Sequence, residues 1–468
     1  MYKTFGTLNV VSFCDNKKCK EMKKLNIILT LIFFSFIGFA QKPMTLKDCM
    51  EFASNNSVQI LVEKELCYQK KIDRRDAILN VFTPQINAYA GLALTNGRTT
   101  DPETNMYTDL KMFQDEYQIS ASMPIFNGFE AVNNMKISKI ALESGKNSLQ
   151  VKTDEICLEI MQYFYNYLYF LKMTKVFFDE KQEALSALQQ TEKEFSLGNK
   201  SRVQVLEKQS FLSEAEYSLA DYEAKCNAAL SALKKAMMFP SNEVLEIDTT
   251  INFQPVLTID FENATKLITL AKESNSQVLV FQNSLKIKEL EFKTAKWQFL
   301  PRIDLNAGWY SSHSKISGVN YQAQPFKDQI KNNGREYISI SLNVPIFNRL
   351  QKFSNFSRKK SDFKIASYEF QEKQTEIENA VLEAFDEVLS ARKKLLAAQK
   401  NADFQKEYYE IAAKKFQAGM IPYLEFNTAA NKYAEAQAMY FNALFVSKIK
   451  TAVIEYYKGV SYLEQIEN

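Results

Sequence analysis

The chain has 468 residues, 46% hydrophobic and 24% charged, with a mean hydropathy of −0.29 and a formal net charge of +3. Its apolar content excludes a generally disordered polypeptide, its hydropathy excludes a bundle of membrane-spanning helices, and its charge balance gives no reason to expect a nucleic-acid partner. One histidine, His313, excludes multi-histidine metal sites and makes no case for histidine catalysis; within Ser311, Ser312 and Ser314 it reads as a solvated loop residue.

The first element is a short apolar run from Leu25 to Ala40, preceded by Lys23 and Lys24 and closed by Gly38-Phe39-Ala40. A basic start, a run too short for a span and small residues two apart describe a secretory signal peptide. The signal is assigned to 22–40 with cleavage after Ala40, and residues 1–21 read as a misassigned upstream start. Cys49, Cys67, Cys157 and Cys226 follow, widely spaced and without a CxxC pair, so they read as buried thiols rather than disulfides or metal ligands.

An internal duplication organises the rest. Met123-Pro124-Ile125-Phe126-Asn127 recurs as Val344-Pro345-Ile346-Phe347-Asn348, and 345 minus 124 gives an offset of 221. The same offset carries Phe195-Ser196-Leu197-Gly198 onto Phe416-Gln417-Ala418-Gly419. Earlier, Phe82-Thr83-Pro84-Gln85-Ile86 matches Phe299-Leu300-Pro301-Arg302-Ile303 at an offset of 217, which places the length difference in variable segments around 96–114 and 313–334. Asn96-Gly97, Asp101-Pro102, Gly318 and Asn333-Gly334 mark those segments as turns and loops. The first repeat spans 44–238 and the second 263–460, joined by a linker at 239–262 that contains Pro240 and Pro255.

In chain order, each repeat offers a hairpin and then a long helix with a returning partner. The first hairpin pairs 84–95 with 116–126, and the second pairs 301–312 with 335–347. Ile86, Ala88, Ala90, Leu92 and Leu94 alternate with Asn87, Tyr89, Gly91, Ala93 and Thr95; Ile338, Ile340, Leu342 and Val344 alternate with Ser339, Ser341 and Asn343. Strands with one apolar and one polar face suit a barrel between lipid and water. Four strands cannot close around a channel, so their open edges require further copies of the chain. The stretches 128–197 and 349–418 are free of proline, and in the second Ile377, Val381, Ala384, Val388, Ala391, Leu395, Ala398, Ala402, Tyr409, Ala412 and Phe416 follow a heptad seam. Its first-repeat counterpart runs through Ile156, Ile160, Tyr163, Tyr167, Phe170, Phe177, Ala184, Leu188 and Phe195, with Thr174, Lys181 and Thr191 as polar members. A return helix follows each of Gly198 and Gly419. The fold class is therefore mainly α with a β-barrel contribution: duplicated long antiparallel coiled-coil helices plus four strands per protomer. No nucleotide-binding loop, catalytic constellation or cofactor motif occurs, and an enzyme is not expected.

From about Met44 to Gly459, this order of signal, duplicated hairpins and long helices resembles the TolC family of outer membrane efflux proteins. The most specific residues are the two Pro-Ile-Phe-Asn strand exits and the turns FSLGNKSRVQVLE and FQAGMIPYLEFNTA. The resemblance implies a homotrimer in the outer membrane, with twelve strands in lipid and a helical barrel in the periplasm. It implies a periplasmic adaptor, an inner membrane transporter of the RND or ABC type, and export of small molecules or, alternatively, of protein by type I secretion. The alternative of another class, a periplasmic coiled-coil structural protein without a pore, would explain the helices but not the strands. The family's tip glycines, where adaptors dock, fall on Gly198 and Gly419; a plain helix C-cap would also place glycine there. The gate tyrosine and arginine positions fall on Phe416 and Ile421, the threonine-aspartate pair on Val203 and Gln204, and the two acidic bore positions on Glu425 and Thr428. Only Glu425 keeps the family's charge. It could ring a constriction or simply compensate a helix dipole.

Overall fold

A computed structural model describes residues 43–100, 105–249, 264–317 and 324–467; the signal peptide and the linker beyond residue 249 lie outside the described residues. Two units can be distinguished. Of the described residues, the smaller comprises 43–45 and 244–249, where Met44 forms a parallel bridge to Ile247, its N–H donating to the Glu246 carbonyl at 2.8 Å. The larger, formed by the rest of the described residues, carries the elements that follow.

Its first half contains α1 (Leu46–Asn56), α2 (Val58–Phe82), β1 (Gln85–Thr100), β2 (Tyr107–Asn127), α3 (Glu130–Ser196) and α4 (Arg202–Ala236). The second contains α5 (Ala264–Ser274), α6 (Ser276–Trp297), β3 (Arg302–Ser317), α7 (Phe326–Asn332), β4 (Arg335–Asn343), α8 (Gln351–Gln417) and α9 (Tyr423–Tyr457). The duplication is kept in length: α3 and α8 each have 67 residues, α4 and α9 each 35. At a rise of about 1.5 Å per residue the longer pair spans roughly 100 Å.

The heptad seam of α8 is its buried stripe. Ile377, Val381, Ala384, Val388, Ala391, Leu395, Ala402, Tyr409 and Ala412 are all buried, and the first four join Leu267, Ala271, Val278 and Ile454 from α5, α6 and α9 in one apolar cluster. On α3 the seam residues Ile156, Ile160, Ala184 and Leu188 are buried too, but a second stripe of Cys157, Met161, Phe164 and Leu168 lies beside them. The reason is position: α3 packs against α1, α2, α4, α6 and α9, whereas α8 meets α5, α6 and α9. A helix with more neighbours needs a wider apolar face. Phe195, at the end of the α3 seam, is 40% exposed. The polar members are satisfied locally, Thr174 and Thr191 donating to the carbonyls of Phe170 and Ala187, and Lys181 pairing with Glu216 at 3.5 Å.

The strands form one antiparallel sheet in the order β1-β2-β3-β4. Ile86 sits opposite Ala121, Ala121 opposite Ala307, and Ala307 opposite Ile338, so these residues share one face. Ser120, Asn306 and Ser339 stand on the other. Strand lengths depart from the sequence reading. β1, β2 and β3 continue into the variable segments that read as turns, because each finds a paired neighbour there. β4 stops at Asn343, short of the expected 347. Pro345 has no N–H to donate, and β4 is an edge strand with no outer partner among the described residues. In β2 the homologous Pro124 stays in the ladder because β3 runs beside it, at the cost of a bulge between Pro124 and Phe126.

His313 also departs from expectation. It lies on β3, directly opposite Asp115 of β2, with Nδ1 2.7 Å from Asp115 Oδ1 and its side chain only 14% exposed. Neither the aspartate, 198 residues earlier, nor the covering ring of Phe326, 5.1 Å away between centroids, is visible to local composition. Cys49, Cys157 and Cys226 are buried free thiols, and burial pushes Cys49 and Cys157 up to about 12; Cys67, also free, is only half-buried.

Candidate functional site

The two helical turns are built alike. Gly198 (φ 77°) and Gly419 (φ 72°) take the left-handed conformation that ends α3 and α8. Gly198 N–H donates to the Phe195 carbonyl and Asn199 N–H to that of Glu194, both at 2.9 Å; Gly419 and Met420 repeat the pairing with Phe416 and Lys415 at 3.0 and 2.9 Å. This crossed pair closes the helix and leaves little backbone unsatisfied. Space around Gly198 is open, and the place where a Cβ of Gly419 would sit lies 3.9 Å from Lys200 Nζ. The two turns are thus neighbours.

The return helices start differently. Ser201 caps α4 in a capping box with Gln204, whose N–H donates to Ser201 Oγ at 3.3 Å while its side chain accepts from Ser201 N–H at 2.9 Å. Gln204 is therefore held by its own helix. Pro422 precedes α9 without a side-chain cap.

Between the turns lies a cleft of about 390 Å³ lined in part by Gln204, Lys208, Phe416, Gly419 and Ile421. Its centre is aromatic. Phe416 stacks on Phe426 with ring centroids 4.7 Å apart and planes at 6°, and Lys208 places its Nζ 2.9 Å above the Phe416 ring. Burial, with Lys200 nearby, pulls the Lys208 ammonium down to about 8 against the opposing pull of Glu207. An ammonium with little water gains from a ring face. The contact joins α4 to α8. Phe211, Tyr409, Phe426, Ala429 and Ala430 form the buried cluster beneath it, with Ile421 packed at its edge. The structure thus brings Phe416, Ile421, Gln204 and Gly419 together. Val203 is 63% exposed, and Glu425 and Thr428 stand exposed three residues apart on α9, apart from the cleft.

Below the turns is a cluster that the sequence reading missed. Tyr409 of α8 donates to a Glu183 carboxylate oxygen on α3, and Tyr423 of α9 donates to Glu214 of α4 at 3.2 Å. Glu180 lies between them. Burial raises it to about 7, with Glu214 and Glu183 adding to the rise. The only signal in the sequence was a pair of glutamates three apart beside Ala184 of the seam.

At the other end of the long helices, the polar face of the sheet opens into a cavity of about 840 Å³ lined by Asp73 and Asp76 of α2, Glu130 of α3, and Arg302, Asp304 and Ser341 of the strands. The opposite face exposes large aliphatic side chains: Leu92 is 76% exposed, Ile338 81% and Ile340 70%. Monomeric proteins rarely leave such a patch in water. Among the described residues no helix is long and apolar enough to cross a membrane.

The profile of the family described as outer membrane efflux protein matches residues 74–237 and 267–445. No curated protein matches the sequence. Among solved structures, the outer membrane protein VceC from Vibrio cholerae superposes with a TM-score of 0.69 at 12% identity, covering 88% of this chain and 96% of that one. The Campylobacter jejuni CmeC outer membrane channel gives 0.67 at 14% identity, over 90% and 87% of the two chains. The open state of the Neisseria gonorrhoeae MtrE outer membrane channel gives 0.64 at 13%, over 88% of each. With its duplicated helices and two-faced sheet, the chain belongs to the outer membrane efflux protein family.

Proposed function

We propose that the protein is the outer membrane channel of a tripartite efflux system, a passive exit duct for small molecules through the periplasm and outer membrane. The sheet is the observation that carries this reading. One face is exposed aliphatic side chains, the other is polar and continuous with a hydrophilic cavity, and the outer edges of β1 and β4 lack partners among the described strands. A lipid-facing wall around water requires this arrangement, and its open edges are satisfied by further copies, three giving twelve strands. Outer membrane lipid covers the aliphatic face. In this assembly the long helices form the periplasmic barrel, and Gly198 and Gly419, bare backbone at adjacent turns, receive the adaptor. Phe416, Ile421, Val203 and Gln204 surround the constriction, with Glu425 and Thr428 lining the bore. Energy comes from an inner membrane transporter of the RND or ABC type.

Deleting the gene and following accumulation of a fluorescent efflux dye tests the proposal. Accumulation should rise and return to normal with the wild-type gene, but not with Gly198→Trp/Gly419→Trp. Unchanged dye accumulation with loss of one protein from the culture supernatant would reassign the channel to type I secretion.

A further inference from the structure

The far end of the sheet carries a feature that neither conduction nor adaptor docking uses. Helix α7 lies along the stretch of β3 beyond Tyr310 that β4 does not reach, and turns Phe326 over Tyr117 and His313 on the aliphatic face, the face of Ile119, Ala307 and Ile338. Ser311 Oγ donates to the Ile330 carbonyl at 2.7 Å, Gln329 accepts from Ser314 N–H at 3.0 Å and donates to the Ser314 carbonyl at 3.1 Å, and Asn333 donates to the Ser312 carbonyl at 2.7 Å. Phe326 covers Tyr117 and His313. Beneath the helix sits the Asp115–His313 pair, which would be costly against hydrocarbon. α7 is a lid over a polar notch at the outer end of the aliphatic wall.

Its level along the wall is fixed by β3. Ile303, Leu305, Ala307 and Trp309 alternate on this face before Ser311, so α7 packs against the strand roughly 30 Å along it from its helical end. Trp309 and Tyr117 beside it suit a membrane interface, where aromatic girdles sit. The outward side of α7 exposes Lys327 and Lys331, four residues apart on one flank, with Asp328 and Asn332 on the other. Lys315, opposite Phe113, and Lys111, opposite Ser317, extend the same face beyond the notch, and both are exposed. None of the four lysines has an ion-pair or hydrogen-bond partner among the described residues. Asp109 faces Arg98 across β1 and β2, Asp115 is held by His313 and Tyr117, and among the described residues of this face and of α7 Asp328 and Glu336 remain to oppose them.

We infer that α7 and the outer ends of β2 and β3 form a docking site for the phosphate headgroup of an anionic membrane lipid. The occupant must present hydrocarbon to Ile119 and Ile338 and negative charge to the lysines one step farther out, and a lipid phosphate does both. This inference rests on the reading of the sheet as part of an outer membrane barrel.

The test uses the full-length oligomer purified in neutral detergent and titrated with phosphatidic acid or with diacylglycerol bearing the same tails. Phosphatidic acid should bind on the order of tenfold more tightly. Lys315→Gln/Lys327→Gln/Lys331→Gln should abolish that preference, the corresponding arginine triple should keep it, and Lys139→Gln/Lys364→Gln/Lys400→Gln on the helices should leave it unchanged. Equal binding of the two lipids, a preference that survives the glutamine triple, or full competition by inorganic phosphate would overturn the site. Single-channel conductance of the same preparations separates the two readings: a conducting wild type without the preference overturns the lipid site alone, and a non-conducting wild type overturns the channel.

Discussion

At Gly128-Phe129, and again at Arg349-Leu350, the chain leaves a strand for a 67-residue helix through two successive left-handed residues, with φ of 65° and 62° in the first copy and 54° and 60° in the second. The surroundings differ. A Cβ on Gly128 would lie 2.5 Å from the Trp297 carbonyl oxygen, and Phe129 meets Phe126 and Trp297 edge-on at 5.2 and 4.5 Å. In the second copy Leu350 is 64% exposed, and a bulky arginine is tolerated where the first copy has glycine. Duplication has kept the backbone path, and each copy's neighbours have decided which residue can follow it. The helical ends tell the same story. Phe426 and Val205 are equivalent by the offset of 221 and both are buried, but only Phe426 stacks with other rings; Glu180, in its carboxylate cluster, corresponds to Asn401.

The largest expected effect breaks the aromatic side of this comparison. Phe426→Ala should lower stability by about 3–5 kcal/mol, read from the denaturation midpoint of the purified protein. Val205→Ala should cost about 2 kcal/mol. Equal losses would mean that the stacked rings add nothing beyond burial.

Gly128→Ala comes next, at about 2–3 kcal/mol, because the added methyl meets a carbonyl in a conformation L residues disfavour. A circular dichroism melt of the variant measures it, and an unchanged midpoint would mean that the Trp297 carbonyl yields freely.

Glu180 supplies a pH dependence with a definite sign. Burial, then Glu214 and Glu183, raise its carboxyl from 4.5 to about 7, so the folded chain binds the proton more tightly than the unfolded one. Its contribution is fully present below pH 4.5 and is lost as pH rises to about 7, by on the order of 2 kcal/mol after allowance for solvent screening. Glu180→Gln should flatten the midpoint between those values. Asn401→Gln at the equivalent site should leave the slope as it is.

The smallest effect is a gain. Arg349→Gly should raise stability by about 0.5 kcal/mol, the relief of left-handed strain exceeding the added chain entropy. A loss on the same melt would show that the arginine side chain holds the exit together.

The backbone architecture was legible in the sequence because its signals are local and repeated. Gly198 and Gly419 end helices of equal length, and the α8 seam from Ile377 to Ala412 is buried as spaced except at the half-buried Ala398. Less legible was whatever depends on distant partners. His313 reads as solvated until Asp115 and Phe326 are brought to it, and β4 ends early at Asn343 although its sequence copies that of β2. The cleft is half legible: Phe416 and Ile421 fall there by register, but Lys208, like Glu180 in the cluster below, acts through contacts between helices that no spacing announces.

The central claim is that several copies close the two-faced sheet into a conducting pore. Mass measurement of the detergent-purified protein, followed by planar-bilayer recording of the same fraction, tests it most directly. A trimer with discrete ion-conducting steps is the predicted result. A monomer that extracts without detergent and passes no current would contradict it.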